Sequence, residues 1–218
     1  MLKSGVLRFP VIPRSVCIAL AAAALLVLPG CWVYSVEPLY EAKLSRPDPD
    51  LTFDPAITGS WLYVGKDDDC LWTLAITAEQ QVYELTMAPA SNCKGEEKTT
   101  RYEGHLVKLD SHRFLDVAPS SAEVCDLCLP LHSFFVMSQG NDTLTLIRVS
   151  DDWLSTAIAQ QKVTLAHLGD GDRVREITND VTLTASSKDL KAFVRKYADD
   201  KAAFPPDPSF VFKRKSAS

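Results

Sequence analysis

The chain has 218 residues, of which 46% are hydrophobic, and a formal net charge of −5 at pH 7. This apolar content is sufficient for a folded core, so the composition excludes a chain that is disordered throughout. The acidic balance argues against nucleic-acid binding, because that function needs a basic surface.

The N-terminal residues have the layout of an export signal. A basic start, which contains Lys3, Arg8 and Arg14 and no acid, precedes an uninterrupted apolar run from Val16 to Leu28. This order of a basic region, a hydrophobic region and small residues is typical of a secretory signal peptide. We therefore expect the rest of the chain to be exported.

The end of the apolar run resembles a bacterial lipobox. Leu28 and Gly30 stand three residues and one residue before Cys31, the residue that is lipidated in such proteins. The resemblance implies that residues 1–30 are a lipoprotein signal peptide and that Cys31 carries a palmitate-containing membrane anchor. It also implies a location in the bacterial cell envelope, and Trp32 after the cysteine favours the outer membrane if the organism has one.

An uncleaved membrane anchor is the alternative. No charged residue occurs between Arg14 and Glu37, and roughly 20 apolar residues can span a bilayer. Pro29 and Gly30 argue against it, because both residue types are unfavourable inside a helix. Cleavage removes three of the 23 basic residues, so the mature chain has 20 basic and 28 acidic residues and a net charge of −8.

Residues 31–57 are predicted to form a proline-rich tether. Pro38, Pro47, Pro49 and Pro55 interrupt this segment, and the run from Ser45 to Asp50 is polar without periodicity. Proline fixes the backbone and removes hydrogen-bond donors, so such a linker is expected to extend away from the membrane. The folded domain is then residues 58–218.

Hydrophobicity with a period of two residues begins after the tether. In the segment 70–76, for example, Trp72, Leu74 and Ile76 share one face, as in a half-buried antiparallel strand. About nine strands are predicted, followed by a short closing strand at Phe210 to Phe212. The predicted strands are 60–65, 70–76, 82–87, 99–109, 112–118, 130–138, 142–150, 163–168 and 173–184.

Two helices are predicted among these strands. The first, near 151–160, begins with two aspartates, which the positive end of the helix dipole favours. The second, near 186–203, has a serine cap and apolar residues at helical spacing along one face. Pro205 and Pro206 follow its predicted end.

The order of a strand meander, a helix and a closing strand resembles the lipocalins and the wider calycin barrels. Gly59-Ser60-Trp61, at the start of the first strand, matches the Gly-X-Trp of that family. The resemblance implies a mainly β fold, in which an antiparallel meander closes into a lipocalin-like barrel. It implies that Trp61 plugs the closed end beside a late arginine, for which Arg214 is the candidate. A two-sheet sandwich is the alternative.

Four cysteines remain after the signal peptide and the lipidated residue are set aside: Cys70, Cys93, Cys125 and Cys128. In a meander their connections share one end of the barrel. An even number of cysteines in an exported domain favours two disulfides, with three possible connectivities. The preferred pairs are Cys70–Cys93, across a hairpin, and Cys125–Cys128, and a pairing crossed between loops stays open.

The motif Cys125-Asp126-Leu127-Cys128 has two chemical alternatives. A redox CxxC pair normally begins a helix in a thioredoxin-like setting, which this pattern lacks. A zinc site formed by the cysteines and His132 is the other alternative.

Other sequence signals for catalysis or metal binding are weak. Asp67-Asp68-Asp69 is interpreted as a polar turn rather than a calcium site. No HExxH, GxSxG, P-loop or dinucleotide fingerprint occurs. The sequence therefore predicts no catalytic residue, no metal site and no cofactor.

The aromatic residues of the predicted strands leave the barrel interior undecided. They could line a ligand cavity, although aromatic residues in strands ordinarily form the core. The leading hypothesis is a non-enzymatic envelope lipoprotein that binds a small apolar ligand or an envelope protein at a loop-rich mouth. The alternatives are a solid-cored protein-interaction module and, less favoured, a thiol-disulfide or zinc enzyme. The aromatic residues are Trp72, Tyr83, Phe114, Phe134 and Phe135.

Overall fold

The computed structural model describes residues 32–42, 46–64, 72–79, 81–89, 99–120, 129–168, 181–207 and 210–215. Within these residues the strands are β1 (Val33–Ser35), β2 (Leu51–Thr52), β3 (Gly59–Tyr63), β4 (Trp72–Glu79), β5 (Val82–Pro89), β6 (Thr100–Leu109), β7 (His112–Pro119), β8 (Ser133–Gln139), β9 (Thr143–Arg148), β10 (Val181–Leu183) and β11 (Phe210–Arg214). The α-helices are α1 (Asp151–Ala159) and α2 (Ser187–Tyr197), and a 3₁₀ turn spans Pro55–Ile57.

Eight of these strands close into an antiparallel barrel. Their order is β6-β5-β4-β3-β11-β9-β8-β7, and β7 pairs back to β6. Neighbours along the barrel are consecutive in the chain except at β11, which lies between β3 and β9. The extra strand β2 pairs with β6 beyond the end of β5, through Leu51 and Thr52. The predicted mainly β fold and the meander that closes into a lipocalin-like barrel are confirmed.

The barrel has two different ends. The short links 80–81, 110–111 and 140–142 lie at one end, which we call the closed end. Strands β3, β5, β7 and β9 finish at the opposite end, which we call the rim. The sequence places Cys70, Cys93, Cys125 and Cys128 in the connections between rim ends. These four cysteines and Cys31 lie outside the described residues, as does the Asp67-Asp68-Asp69 turn.

The strands β6, β7 and β8 have apolar side chains on both faces. On β7, Leu115 belongs to the cluster inside the barrel, whereas its neighbour Phe114 belongs to an outer cluster. The outer cluster also contains Leu154 of α1 and Phe193 of α2. The two helices therefore form a second layer that covers one side of the barrel.

Both α-helices begin at serine caps, of which the one at α2 was predicted and the one at α1 was not. The Ser150 Oγ accepts the N–H of Trp153 at 3.2 Å, and the Ser186 Oγ accepts the N–H of Asp189 at 3.2 Å. The end of α2 differs from the prediction, because the helix stops at Tyr197 instead of near 203. The turns that follow bury Phe204 in the outer cluster. Among the described residues, no helix is both long enough and apolar enough to cross a membrane.

The described parts of the predicted strands 163–168 and 173–184, which are residues 163–168 and 181–184, do not belong to the barrel. Val163 and Leu165 pack in the outer cluster, and His167 forms only an isolated bridge to Leu183. Because β11 pairs with both β9 and β3, the barrel has no open edge to which residues 163–168 or 181–184 could add a strand. Residues 169–180 lie outside the described residues.

Residues 32–42, which we call the N-terminal strap, are packed against the barrel and correct the predicted tether. Strand β1 pairs in parallel with β10, and Ser35 exchanges two backbone hydrogen bonds of 2.8 Å with His132. Leu39 is fully buried. The prolines suggested a linker, but the apolar residues Val33 and Leu39 have enough hydrophobic surface to hold this segment on the outer cluster.

An ion-pair network attaches the segment after the strap to α2. The Lys191 Nζ lies 2.6 Å from Asp48 Oδ2 and 2.7 Å from Asp50 Oδ2. Burial alone would raise the pKa of Asp48, but hydrogen bonds from Lys191 and from two backbone N–H groups lower it. Burial alone would lower the pKa of Lys191, but its two carboxylate partners raise it. The buried pair is therefore held in its charged form.

Candidate ligand-binding site

The barrel interior is filled near the closed end. Trp61, Tyr83 and Phe212 are all less than 2% exposed, and Ile76 and Leu144 pack with them. The Trp61 Nε1–H donates to the carbonyl of Ile57 at 2.9 Å, so the indole has no unsatisfied polar atom. This half of the barrel is a packed core.

Arg214 covers the plug formed by Trp61. Its guanidinium carbon lies 4.1 Å from the centroid of the indole, and it donates hydrogen bonds to the carbonyls of Thr58 and Ala56 at 3.0 and 2.6 Å. Gly59 has a φ of +124°, and a Cβ there would lie 2.9 Å from the guanidinium. A side chain at position 59 would therefore displace Arg214. The arrangement that the Gly-X-Trp resemblance implied at this end is present.

The rim half of the barrel is open and holds a cavity of about 560 Å³. A volume of this size is ordinary for a site that binds one small molecule. Its described lining is almost entirely apolar, and its polar side-chain groups are the hydroxyls of Tyr34, Tyr102 and Ser133 and the indole N–H of Trp32. Such a surface favours an apolar ligand with a small polar part.

Seven of the barrel strands and the N-terminal strap contribute to this lining. The lining residues are Trp32, Tyr34, Leu74, Leu85, Met87, Tyr102, Leu115, Val117, Pro119, Leu129, Leu131, Ser133, Phe135, Leu146, Phe210 and Phe212.

An aromatic group built on Trp32 forms one side of the mouth. Its ring stacks on Phe210 with centroids 5.9 Å apart and meets Phe135 edge-on at 6.3 Å. The Arg148 guanidinium lies 5.2 Å from the centroid of the Trp32 ring. Because β9 ends at Arg148, the strap completes the wall where that barrel strand stops.

A buried polar cluster on the outer face of β7 holds the strap in place. Asp116 is 1% exposed, and its carboxylate accepts the Leu39 N–H at 2.6 Å. The other carboxylate oxygen lies 2.6 Å from the Nδ1 of His132. Asp116 therefore binds both the strap and the start of β8, the strand beside it at the rim.

Two further rings complete this cluster. The centroids of Tyr40 and His105 are 4.4 Å apart. Burial raises the pKa of Tyr40, and the negative charges of Asp116 and Glu103 raise it further. Burial lowers the pKa of His105, against the opposing effect of the same two carboxylates. The cluster lies outside the barrel, because Leu115 and Val117, which flank Asp116 in β7, are the residues that line the cavity.

The aromatic candidates from the sequence are divided among three environments. Phe135 lines the cavity, Tyr83 is part of the packed closed end, and Phe114 and Phe134 lie in the outer cluster. Trp72, at the rim end of β4, is partly exposed and is not among the described lining residues.

No group of three or more potential metal ligands occurs in the part of the chain that is described. His132 binds Asp116 there, and the cysteines predicted beside it lie outside the described residues. The lining residues that sequence reasoning missed are Trp32 and Tyr34, which were assigned to the tether. The three consecutive apolar residues Trp32, Val33 and Tyr34 were the available signal.

No family model matches this chain, and no curated protein or solved structure matches it. The class of protein is therefore defined by the fold alone. It is an eight-stranded antiparallel barrel with one filled end, one open end and an outer layer of two helices within the described residues.

Proposed function

We propose that this protein is a non-enzymatic lipoprotein of the bacterial cell envelope that binds a small apolar ligand in its barrel. The observation that carries this proposal is the cavity of about 560 Å³ at the rim, with its apolar lining. Burial of a ligand's hydrocarbon surface there would supply roughly 0.8 kcal/mol for each CH₂ group. The acidic mature chain supports a partner other than a nucleic acid.

The lining also supports a binding role over a catalytic one. The only titratable side chains among the described lining residues are the phenols of Tyr34 and Tyr102. The Asp116–His132 pair, which has the composition of an acid–base dyad, is on the outer face and binds the strap. Neither of its members is among the described lining residues.

Filling the cavity tests the ligand-binding part of the proposal. The full chain is produced with export in a bacterium, and binding of the neutral fluorophore N-phenyl-1-naphthylamine is titrated by fluorescence. Val117→Phe adds a ring to the cavity lining, and we expect it to weaken binding by at least about tenfold, which corresponds to about 1.4 kcal/mol. Stability should change little, because the added ring enters an empty space.

Val64→Phe is the matched control, because Val64 is 43% exposed and does not line the cavity. We expect this variant to bind the fluorophore as the wild type does. Equal binding by the wild type and Val117→Phe would place the fluorophore elsewhere, and no saturable binding by the wild type would refute a ligand-binding barrel.

The lipid anchor has its own test. Cells that express the full chain are grown with radiolabelled palmitate, and the protein is isolated. We expect label in the wild type and none in Cys31→Ala, because that variant lacks the thiol that accepts the lipid. Label that persists in Cys31→Ala would refute the anchor.

A further inference from the structure

The cavity wall begins at the residue next to the proposed lipid attachment site. Trp32 lines the cavity, and one peptide unit, about 3.8 Å between Cα atoms, separates it from Cys31. A lipoprotein with a long linker can hold its folded domain in any orientation relative to the membrane. No such linker occurs in the described residues that precede the barrel, because the strap is packed on the barrel from Trp32 onward.

Exposed apolar side chains are concentrated near the same end. Leu129 is 61% exposed and lies before β8 at the rim, and Val64 is 43% exposed and follows β3 there. Leu168 is 51% exposed, and its N–H donates to the carbonyl of Thr182, the partner of Tyr34 in the strap. Isolated apolar residues on a surface are normal. Here Leu129 lines the cavity, Val64 follows a strand that ends at the rim, and Leu168 is bonded to the strand that pairs with the strap, so we interpret this end as an interaction surface.

The fourth large apolar residue exposed in the described structure has a different explanation. Phe53 is 38% exposed, lies between β2 and the 3₁₀ turn, and stacks on the ring of Tyr83 with centroids 5.4 Å apart. It therefore has a packing role near the closed end. The rim residues are the ones that lie beside the proposed anchor.

We infer that the rim docks onto the bilayer that holds the anchor, so that the apolar ligand moves between the bilayer and the cavity without crossing water. This inference rests on the proposed function. Trp32 and Tyr34 suit such an interface, since aromatic residues with one polar group favour the boundary between lipid and water. The mature chain has a net charge of −8, so docking depends on apolar contact and is expected on a zwitterionic membrane.

The docking is tested with the lipidated full-chain product in vesicles of phosphatidylcholine with brominated acyl chains, which quench tryptophan at short range. Trp32 lines the mouth and Trp72 begins β4 at the rim, whereas Trp61 is buried at the closed end and Trp153 is on α1. We expect quenching in the wild type. We expect Val64→Asp/Leu168→Asp to lose at least about half of that quenching, because two charges would have to enter lipid.

The control variant is Ser111→Asp/Asn141→Asp, which adds two charges in exposed positions at the closed end. We expect it to be quenched as the wild type is. An unquenched wild type, or equal quenching of the wild type and the rim variant, would overturn the docked orientation.

Failure of the inference is distinguishable from failure of the proposed function. If N-phenyl-1-naphthylamine still binds the wild type in solution and palmitate still labels it, an unquenched protein refutes only the orientation of the mouth. If the fluorophore or the label is absent, the proposed function itself has failed.

Discussion

The two halves of one barrel interior have opposite properties. Near the closed end, Trp61, Tyr83 and Phe212 fill the space between the strands and are almost fully buried. Near the rim, the same strands surround about 560 Å³ of open volume. The comparison teaches that stability and binding are located in different parts of the barrel, because filled volume provides packing and empty volume provides a site.

The largest expected effect is a loss of stability, which should differ between a substitution at the closed end and one in the cavity lining. Trp61→Ala should reduce the free energy of unfolding by about 3–5 kcal/mol, because it removes a buried side chain and leaves a cavity. Met87→Ala, in the cavity lining, should cost only about 1 kcal/mol, since its side chain already borders open space. Urea denaturation followed by far-ultraviolet circular dichroism measures both. Similar losses of stability in the two variants would contradict the distinction between a packed closed end and an empty rim half.

The next prediction concerns the wall that the strap adds to the rim. Asp116→Asn should cost about 2 kcal/mol, because the amide cannot accept hydrogen bonds from both Leu39 and His132 as the carboxylate does. Hydrogen exchange of the strap amides should become faster. Both quantities are measured on the exported full chain, by urea denaturation and by mass spectrometry.

Asp110→Asn is the matched control for that substitution. Asp110 is exposed, lies 3.7 Å from Arg195 and has a φ of 55°, which asparagine also tolerates. An exposed ion pair contributes little, so the expected change is below about 0.5 kcal/mol. If Asp110→Asn loosened the strap as much as Asp116→Asn does, the assigned role of Asp116 would be wrong.

The smallest expected effect is a pH dependence of stability that arises from His105, in the polar cluster beside the strap. The pKa of His105 is lowered in the folded state, so the unfolded chain binds the proton more tightly. This group's contribution to stability is therefore complete above the unfolded pKa of about 6.5 and decreases as the pH falls below it. His105→Phe should make the loss of stability between about pH 7.5 and pH 5 smaller, by less than about 1 kcal/mol.

The measurement is thermal unfolding of both proteins at several pH values. Tyr40, Glu103, Asp116 and His132 surround His105 and remain in both proteins, so the difference between the two curves isolates His105. Parallel curves would mean that its burial has no effect on acid stability.

The elements of this fold that depend on local patterns could be predicted from the sequence. Alternating apolar residues predicted the barrel strands, the aspartates Asp151 and Asp152 predicted the start of α1, and a serine cap predicted the start of α2. The Gly-X-Trp motif led to Trp61 at the closed end and to Arg214 beside it. The end of α2 was missed, because the turns after Tyr197 are fixed by burial of Phe204 in a distant cluster.

The candidate site could be predicted only in part, because a cavity depends on three-dimensional distances. Phe135 and Tyr83 are both aromatic residues in alternating strands, and the sequence could not show that one faces open space and the other a packed core. The role of Trp32 and Tyr34 depends on pairing of β1 with β10. That contact spans most of the chain, so no local signal identifies β10 as the partner of β1, and the prolines of the same segment gave a misleading signal.

The position of β11 has a consequence for the order of folding. This strand is the last of the barrel strands in the sequence, yet it lies between β3 and β9 in the barrel and places Arg214 against Trp61. Until it arrives, both of those strands have unpaired edges, which are sites for association with other chains. Barrel closure must therefore follow synthesis of all the other barrel strands, and contacts of such long sequence separation form slowly. A chaperone that protects the open barrel would act during this interval.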